Sequence, residues 1–135
     1  MAKVNMALAS CVGIHADIVA PYLVHLTNDE QRKRWLPAYA AGEILGAIGM
    51  TEPSVGSDLA NLKTTAVRDG DDWVINGSKT FITNGYSANL VVVAARTAPE
   101  KKAKGISLFG VDTSKDGFSL GRKLDKVGQP ESDTA

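Results

Sequence analysis

The segment Thr51–Asp58 concentrates the residue types best able to bind a ligand. Its sequence is TEPSVGSD, in which Thr51 and Ser57 present hydroxyl groups and Gly56 lacks a side chain. A glycine lets the backbone approach a ligand closely, and successive N–H groups of such a loop can cradle a phosphate. The segment therefore predicts phosphate or cofactor binding. The same residues are also common in an ordinary polar connection, and spacing alone leaves both interpretations open.

A second candidate segment is Phe81–Asn84, with the sequence FITN. In a strand, Phe81 and Thr83 would point to the same face of the sheet. A flat aromatic ring and a hydroxyl on one face can hold a planar heterocycle. Spacing alone favours the alternative, in which Phe81 belongs to the core and Thr83 is a surface residue of a strand.

The remaining reactive residue types give no site. His15 and His25 are isolated on predicted helices, whereas a zinc site usually needs roughly three or four protein ligands, so no metal site is predicted. Cys11 is the only cysteine and cannot form an internal disulfide, which favours a reducing compartment, the cytoplasm. Its apolar helical context is more typical of a small packing residue than of a nucleophile.

Residues 1–42 are rich in alanine and have helical periodicity. One face recurs at spacings of three and four residues: Leu8, Val12, His15, Val19 and Leu23. Pro21 is expected to kink or interrupt this helix because it lacks an N–H group. Thr27 or Asn28, followed by Glu30 or Gln31, predicts a capping box and a second helix, and Gly42 predicts its end.

After Gly42 the sequence pattern becomes that of short strands separated by turns. The predicted strands are 44–50, 63–68, 73–75, 78–83, 89–96, 105–112 and 118–123. Asn76-Gly77 is the strongest hairpin signal, since a two-residue type I′ turn needs positive φ at both positions. Helices followed by about six or seven such strands predict an α+β fold with an antiparallel barrel or sandwich.

Composition excludes several classes of function. The 135 residues carry 15 basic and 15 acidic side chains, for a net charge of zero, with 44% hydrophobic and 22% charged residues. This balance removes the usual electrostatic argument for binding nucleic acid or an anionic membrane. No uninterrupted apolar run reaches the roughly 18–20 residues that span a bilayer, so no membrane span is predicted.

Taken together, the motifs resemble one family. The sequence MTEPSVGSD at 50–58, followed by WVINGSKTFITNG at 73–85, is similar to the acyl-CoA dehydrogenase family. So are NDEQRKRWLP at 28–37, KGISLF at 104–109 and SDT at 132–134. The resemblance covers nearly the whole chain in the family's own order, and the first pair of motifs is highly specific.

The resemblance implies a flavoprotein of fatty acid metabolism. Family members use FAD to oxidise acyl-CoA thioesters to enoyl-CoA and pass the electrons to an electron-transferring flavoprotein. The matching positions imply these cofactor-binding residues: Ile48, Met50, Thr51, Gly56, Ser57, Phe81, Ile82 and Thr83. Ser57 would also contact the acyl-CoA, and Thr83 would lie near flavin N5. Many members have tryptophan where Phe81 stands, and phenylalanine keeps the flat apolar wall without the indole N–H.

The resemblance also implies an incomplete fold. Residues 1–42 would be the end of an N-terminal helical domain, and 43–135 would be a truncated middle domain, an incomplete antiparallel β-barrel. The family's C-terminal helical domain, which carries the catalytic glutamate, is expected to be absent, so no residue is assigned as catalytic. Glu52 matches a loop residue and not the base. FAD binding is therefore expected to be weak or absent, and open sheet edges predict a homo-oligomer.

Two alternatives remain open. The chain would be a non-catalytic remnant or binding module if it folds around itself or a partner without chemistry. It would belong to another branch if the reaction is that of an acyl-CoA oxidase or a flavin monooxygenase, which share this architecture. Thr51-Glu-Pro favours the dehydrogenase branch over the monooxygenases.

Overall fold

A computed structural model describes Lys3 and residues 5–135 of the chain. The first helical stretch consists of α1 (Met6–Gly13), a π-helical turn (Ile14–Val19) and α2 (Ala20–His25). The predicted disruption at Pro21 takes the form of this widened turn, directly before the proline in the first turn of α2. Proline lacks an N–H group and its ring clashes with the preceding turn, so a local change of helical geometry is expected there.

The second helix, α3 (Asp29–Ala40), begins and ends as the sequence predicts. Asn28 accepts a hydrogen bond from the Gln31 N–H, and the Gln31 side chain accepts one from the Asn28 N–H, which completes a capping box. Gly42, with φ of +76°, ends the helix, and its N–H donates to the Tyr39 carbonyl. Glycine tolerates this left-handed conformation, in which other residues are strained.

Five strands follow and form one mixed sheet centred on β4. They are β1 (Gly46–Gly49), β2 (Thr65–Asp69), β3 (Asp72–Asn76), β4 (Leu90–Arg96) and β5 (Ile106–Asp112). β5 pairs antiparallel along the whole of β4, whereas β1 pairs parallel with its first four residues. β2 pairs parallel with β4 only at Thr65 and Arg96, and β3 pairs antiparallel with β2.

The predicted fold class is confirmed in its order of layers, since helices precede a sheet that does not close into a barrel. Two details differ from the prediction: five strands instead of six or seven in the described part of the chain, and two parallel pairings. Parallel pairing joins strands that lie far apart in sequence, so local patterns of apolar residues do not reveal it.

Segments 78–83 and 118–123 are not strands, and these two predictions are wrong. Segment 78–83 directs its backbone hydrogen bonds to a loop and to the C-terminal tail, as described below. Segment 118–123 leaves Phe118 and Leu120 exposed, so no buried face fixes a strand register there.

The hairpin prediction at Asn76-Gly77 is also wrong. The turn between β2 and β3 lies at Gly70-Asp71, and Gly70 has φ of +59°. Gly77 serves a different purpose, because a Cβ atom there would lie only 2.3 Å from Thr64 Oγ1. Close backbone approach, and not turn conformation, requires this glycine.

The core lies on both faces of β4, which is buried from Leu90 to Ala95 as its continuous apolar sequence predicts. On one face, Val19, Leu23 and Tyr39 of the helices pack against it. On the opposite face, Val91 and Val93 of β4 form a cluster with small and branched residues: Ala47, Ile82 and Ala88. The sheet therefore holds the helices on one side and the Ile82 segment on the other.

The helical stretch Met6–His25 bears on the expectation that the chain has no membrane span. By length and composition it could cross a bilayer, with 20 residues and a mean hydropathy of 1.6. His15 and Asp17 interrupt its apolar run, but the mean hydropathy of the stretch stays apolar. A search for uninterrupted apolar runs therefore does not detect it. Val19 and Leu23 are 0% and 2% exposed and pack against the sheet, but only 17% of the apolar window is buried, and a single such helix near the N-terminus is weak evidence for a membrane span.

Candidate functional site

The fold brings the two candidate segments side by side. The N–H of Thr80 donates to the carbonyl of Thr51 at 2.9 Å, and the ammonium of Lys79 donates to the carbonyl of Met50 at 3.1 Å. The chain leaving β1 therefore runs directly beside the approach to Phe81. Sequence reasoning selected both segments, and the structure shows that they meet.

The Thr51–Asp58 loop is anchored at its base and open at its tip. Glu52 and Val55 exchange two backbone hydrogen bonds, of 2.8 and 3.1 Å, and so close a tight turn. Val55 is buried in a small apolar cluster beneath the loop. Gly56 and Ser57 are exposed, and a Cβ atom on Gly56 would meet nothing within 4 Å. Open space therefore lies beside this backbone, as close approach of a ligand requires.

Phe81 neither lies in a strand nor belongs to the core. Its φ of +59° is in the left-handed region, which is rare for a bulky residue, and its side chain is 68% exposed. The strand argument that gave Phe81 and Thr83 a common face therefore fails, and so does the alternative that buries Phe81. The structure instead presents an aromatic ring to solvent next to the Thr51 loop.

Three predicted cofactor-binding residues are occupied by packing. Ile48 contacts the helix-facing core cluster, Met50 packs under the loop with Val55, and Ile82 is 8% exposed in the cluster on the other face of β4. Thr51 is partly buried. Ser57 and Phe81 are the exposed side chains of this set, and Thr83, like Thr51, is partly exposed.

The C-terminal tail pairs with the chain that follows Phe81. Ile82 and Ala135 exchange backbone hydrogen bonds of 2.8 and 3.2 Å, and Thr83 forms a β-bridge with Thr134. Lys126 Nζ donates to the Ser132 carbonyl at 2.7 Å and to Thr134 Oγ1 at 2.7 Å. The sequence indicated this tail only as a shared motif, and the structure pairs it with Ile82 and Thr83.

Sequence reasoning missed a buried ion pair at the centre of the site. Glu52 is 4% exposed, and its Oε1 lies 2.9 Å from Lys79 Nζ. The Glu52 carboxylate also accepts hydrogen bonds from the Lys63 N–H and from the N–H and hydroxyl of Thr64. The available signal was one acid inside the Thr51–Asp58 segment and one lysine two residues before the Phe81–Asn84 segment.

These contacts fix the protonation state of Glu52. Burial alone would raise its pKa, but hydrogen bonds from Thr64, Lys63 and Lys79 outweigh burial and lower the pKa to about 2. At neutral pH the group is a carboxylate whose lone pairs are committed to four donors. A general base must reach a substrate proton, whereas the Glu52 carboxylate is buried and already accepts hydrogen bonds from four structural donors.

His15 makes structural contacts within the fold through both its ring and its backbone. Its ring stacks on Tyr39 with centroids 3.9 Å apart, and its Nδ1 accepts from the Gly46 N–H at 3.3 Å. The Tyr39 hydroxyl donates to the His15 carbonyl at 2.7 Å, and burial raises the pKa of that phenol well above its usual range. Among the described residues, no group of three or more His, Cys, Asp or Glu side chains could hold a metal ion.

Two family models match the chain and together span almost all of it. The model described as "Acyl-CoA dehydrogenase, middle domain" matches residues 47–135, and the one described as "Acyl-CoA dehydrogenase, N-terminal domain" matches residues 1–43. The mitochondrial long-chain specific acyl-CoA dehydrogenase of Sus scrofa is 47% identical over 97% of this chain and 32% of its own length. The chain thus spans about a third of the length of the curated relatives it matches.

Solved structures agree with this result. The acyl-CoA dehydrogenase from Geobacillus kaustophilus superposes with a TM-score of 0.94 at 51% identity, covering 98% of this chain and 35% of that one. A glutaryl-CoA dehydrogenase from Mycobacterium smegmatis in complex with FADH2 gives 0.84 at 37% identity, covering 93% and 31%. The prolyl acyl carrier protein oxidase AnaB gives 0.91 at 30% identity, covering 95% and 34%.

Proposed function

Because this chain belongs to the acyl-CoA dehydrogenase family, we propose that it forms the flavin-facing part of an enzyme that oxidises acyl-CoA thioesters with FAD. One observation carries the proposal: the Thr51 loop and the Phe81 segment are hydrogen-bonded side by side, with Ser57 and the Phe81 ring exposed. A flat apolar surface next to hydroxyl groups and open backbone is what a flavin nucleotide needs.

The residues present fit FAD. The exposed ring of Phe81 would pack against the isoalloxazine, and the Thr83 hydroxyl would lie near its N5. Hydroxyls of Thr51 and Ser57 would bind the cofactor, Ser57 would also contact the acyl-CoA, and the open space beside Gly56 would admit a phosphate. When bound, the flavin supplies the hydride acceptor of the oxidation. A relative of known structure holds FADH2, which supports this assignment.

We assign no catalytic base within the chain. The lone pairs of Glu52 are committed to structural donors, and the resemblance places the family's base outside the segment matched here. We therefore propose that the chain alone binds FAD weakly and is inactive. The residues described here would bind and orient the flavin while a carboxylate from elsewhere removes the α-proton.

The decisive experiment is an NMR titration of the 15N-labelled chain with FAD up to millimolar concentration, which detects even weak binding. We expect amide shifts at Thr51, Gly56 and Phe81 that are lost in Phe81→Ala. Tyr86→Ala is the matched control, because Tyr86 is a comparably exposed aromatic residue at 50% and its removal should leave the titration unchanged. Absence of shifts, or shifts confined to other regions, would contradict the proposal.

Three further proposals concern partners and location. The family supports acyl-CoA and an electron-transferring flavoprotein as partners of the complete enzyme. In the described part of the chain, β3 and β5 each pair on one side only, which supports a homo-oligomer; sedimentation as a monomer at micromolar concentration would contradict this. The single cysteine supports the cytoplasm, and cell fractionation tests it.

A second candidate function is that of an oxidase. The similarity to AnaB, a prolyl acyl carrier protein oxidase, favours this reaction on the same scaffold. The two are distinguished by the electron acceptor: reduced flavin in an oxidase reacts rapidly with oxygen, whereas in a dehydrogenase it persists until a protein acceptor is added. A non-catalytic module would show neither reaction even when the rest of a family enzyme is supplied.

A further inference from the structure

The two sides of the proposed flavin site are joined through one side chain, that of Lys79. Its ammonium lies 3.1 Å from the Met50 carbonyl and 2.9 Å from Glu52 Oε1, so it contacts the residues on both sides of Thr51. The Lys79 side chain is 12% exposed and that of Glu52 is 3% exposed. Solvent therefore screens this ion pair far less than it screens one on the surface.

The Glu52 carboxylate that Lys79 contacts is itself held in place by β2. Besides the lysine, the Glu52 carboxylate accepts hydrogen bonds from Lys63 and Thr64 at the start of β2. The aliphatic stem of Lys79 lies against the end of β1, where a Cβ atom on Gly49 would come within 3.3 Å of its Cγ. The ammonium thus has little freedom to move relative to either strand.

We propose that Lys79 is a positioning residue: through Glu52 and the Met50 carbonyl it fixes the alignment of Thr51 with Thr80, and so places Phe81 beside the Thr51 loop. The loop alignment is a property of this chain, and its effect on flavin binding rests on the function proposed above. The hydrogen bond from the Thr80 N–H to the Thr51 carbonyl, 2.9 Å long, is the contact that reports the alignment.

This role differs from a general contribution to folding. Replacing both partners of a buried ion pair by apolar residues of similar shape is often neutral, whereas removing one partner leaves a buried charge and lowers overall stability. Glu52 keeps three donors when the lysine is removed. Lys79→Met should therefore loosen the alignment of the two segments while the sheet around β4 stays folded.

Amide hydrogen exchange tests the alignment directly. In Lys79→Met we expect exchange at Thr80 to accelerate at least tenfold more than exchange at Leu90, whose N–H donates to the Leu45 carbonyl in the core and reports the overall loss of stability. Lys79→Arg, which keeps the charge, should restore most of the Thr80 protection. Equal acceleration at Thr80 and Leu90, or none at Thr80, would overturn the proposal.

The flavin titration separates this inference from the proposed function. Lys79→Met should weaken FAD binding at least tenfold, and Lys104→Met, the same change at an exposed lysine, should have less than a twofold effect. If the unmodified chain binds FAD and Lys79→Met binds it equally well, the positioning role is wrong and the function stands. If the unmodified chain gives no response, the function fails and the exchange ratio alone decides the role of Lys79.

Discussion

Replacing Glu52 with glutamine removes the charge from a buried group and keeps its size. The pKa of Glu52 is lowered from 4.5 to about 2, and a group held in its charged form in this way stabilises the fold. Each unit of pKa is about 1.4 kcal/mol, so the charged state contributes on the order of 3 kcal/mol at neutral pH. We expect Glu52→Gln to lower the free energy of unfolding by about this amount at pH 7.

The pH dependence distinguishes this cause from lost packing. Because the folded pKa is depressed, the stabilisation is fully present above the unfolded pKa of about 4.5 and is lost as the pH falls through about 2. By linkage, about half of it remains at pH 3. The difference between the unmodified chain and Glu52→Gln should therefore shrink by roughly half between pH 7 and pH 3.

Urea unfolding followed by tryptophan fluorescence measures this difference. With a slope of roughly 1.5 kcal/mol per molar urea, the midpoint at pH 7 should fall by about 2 M. Glu43→Gln is the control, since Glu43 is exposed and its midpoint should shift by less than about 0.3 M. A Glu52→Gln effect of equal size at pH 7 and pH 3 would refute the electrostatic explanation.

Two other substitutions test the packing. Gly77→Ala places a Cβ atom 2.3 Å from Thr64 Oγ1 and should lower the free energy of unfolding, measured in urea, by about 2 kcal/mol. The control is Gly121→Ala, where a Cβ atom meets nothing within 4 Å, and its loss should be less than about 1 kcal/mol. Equal effects would show that Gly77 is not needed for close approach. Tyr39→Phe removes the hydrogen bond to the His15 carbonyl but keeps the ring stack, so thermal unfolding should show a free energy of unfolding lower by about 1 kcal/mol. An unchanged unfolding midpoint would show that this hydrogen bond contributes nothing.

The features that were predicted well depend on residues close together in the sequence. The capping box of Asn28 and Gln31 is complete within one helical turn, and the burial of β4 follows from its uninterrupted apolar sequence. Turn preference, by contrast, is weak enough for one contact to override it. Asn76-Gly77 has the strongest hairpin sequence, yet Gly77 packs against Thr64 and no return strand follows it.

The two segments of the candidate site could be predicted from the sequence, but the contacts between them could not. Residue types located its two segments, but what joins them is a lysine, a carboxylate and two backbone atoms that no spacing rule relates. Segment 78–83 has the pattern of a strand, and it is not one because Thr51 and Ala135 take its backbone hydrogen bonds. Partners distant in sequence decide such segments, and one sequence does not reveal them.

The conformation of Phe81 has a consequence for selection experiments. Its φ of +59° strains a bulky residue by roughly 1 kcal/mol or more, and its exposed ring gains little burial in return. A library of this chain screened only for resistance to proteolysis should therefore enrich glycine or asparagine at position 81. The same library screened for retention on immobilised flavin should keep the aromatic residue, so opposite outcomes of the two screens would mark Phe81 as a position where folding and binding compete.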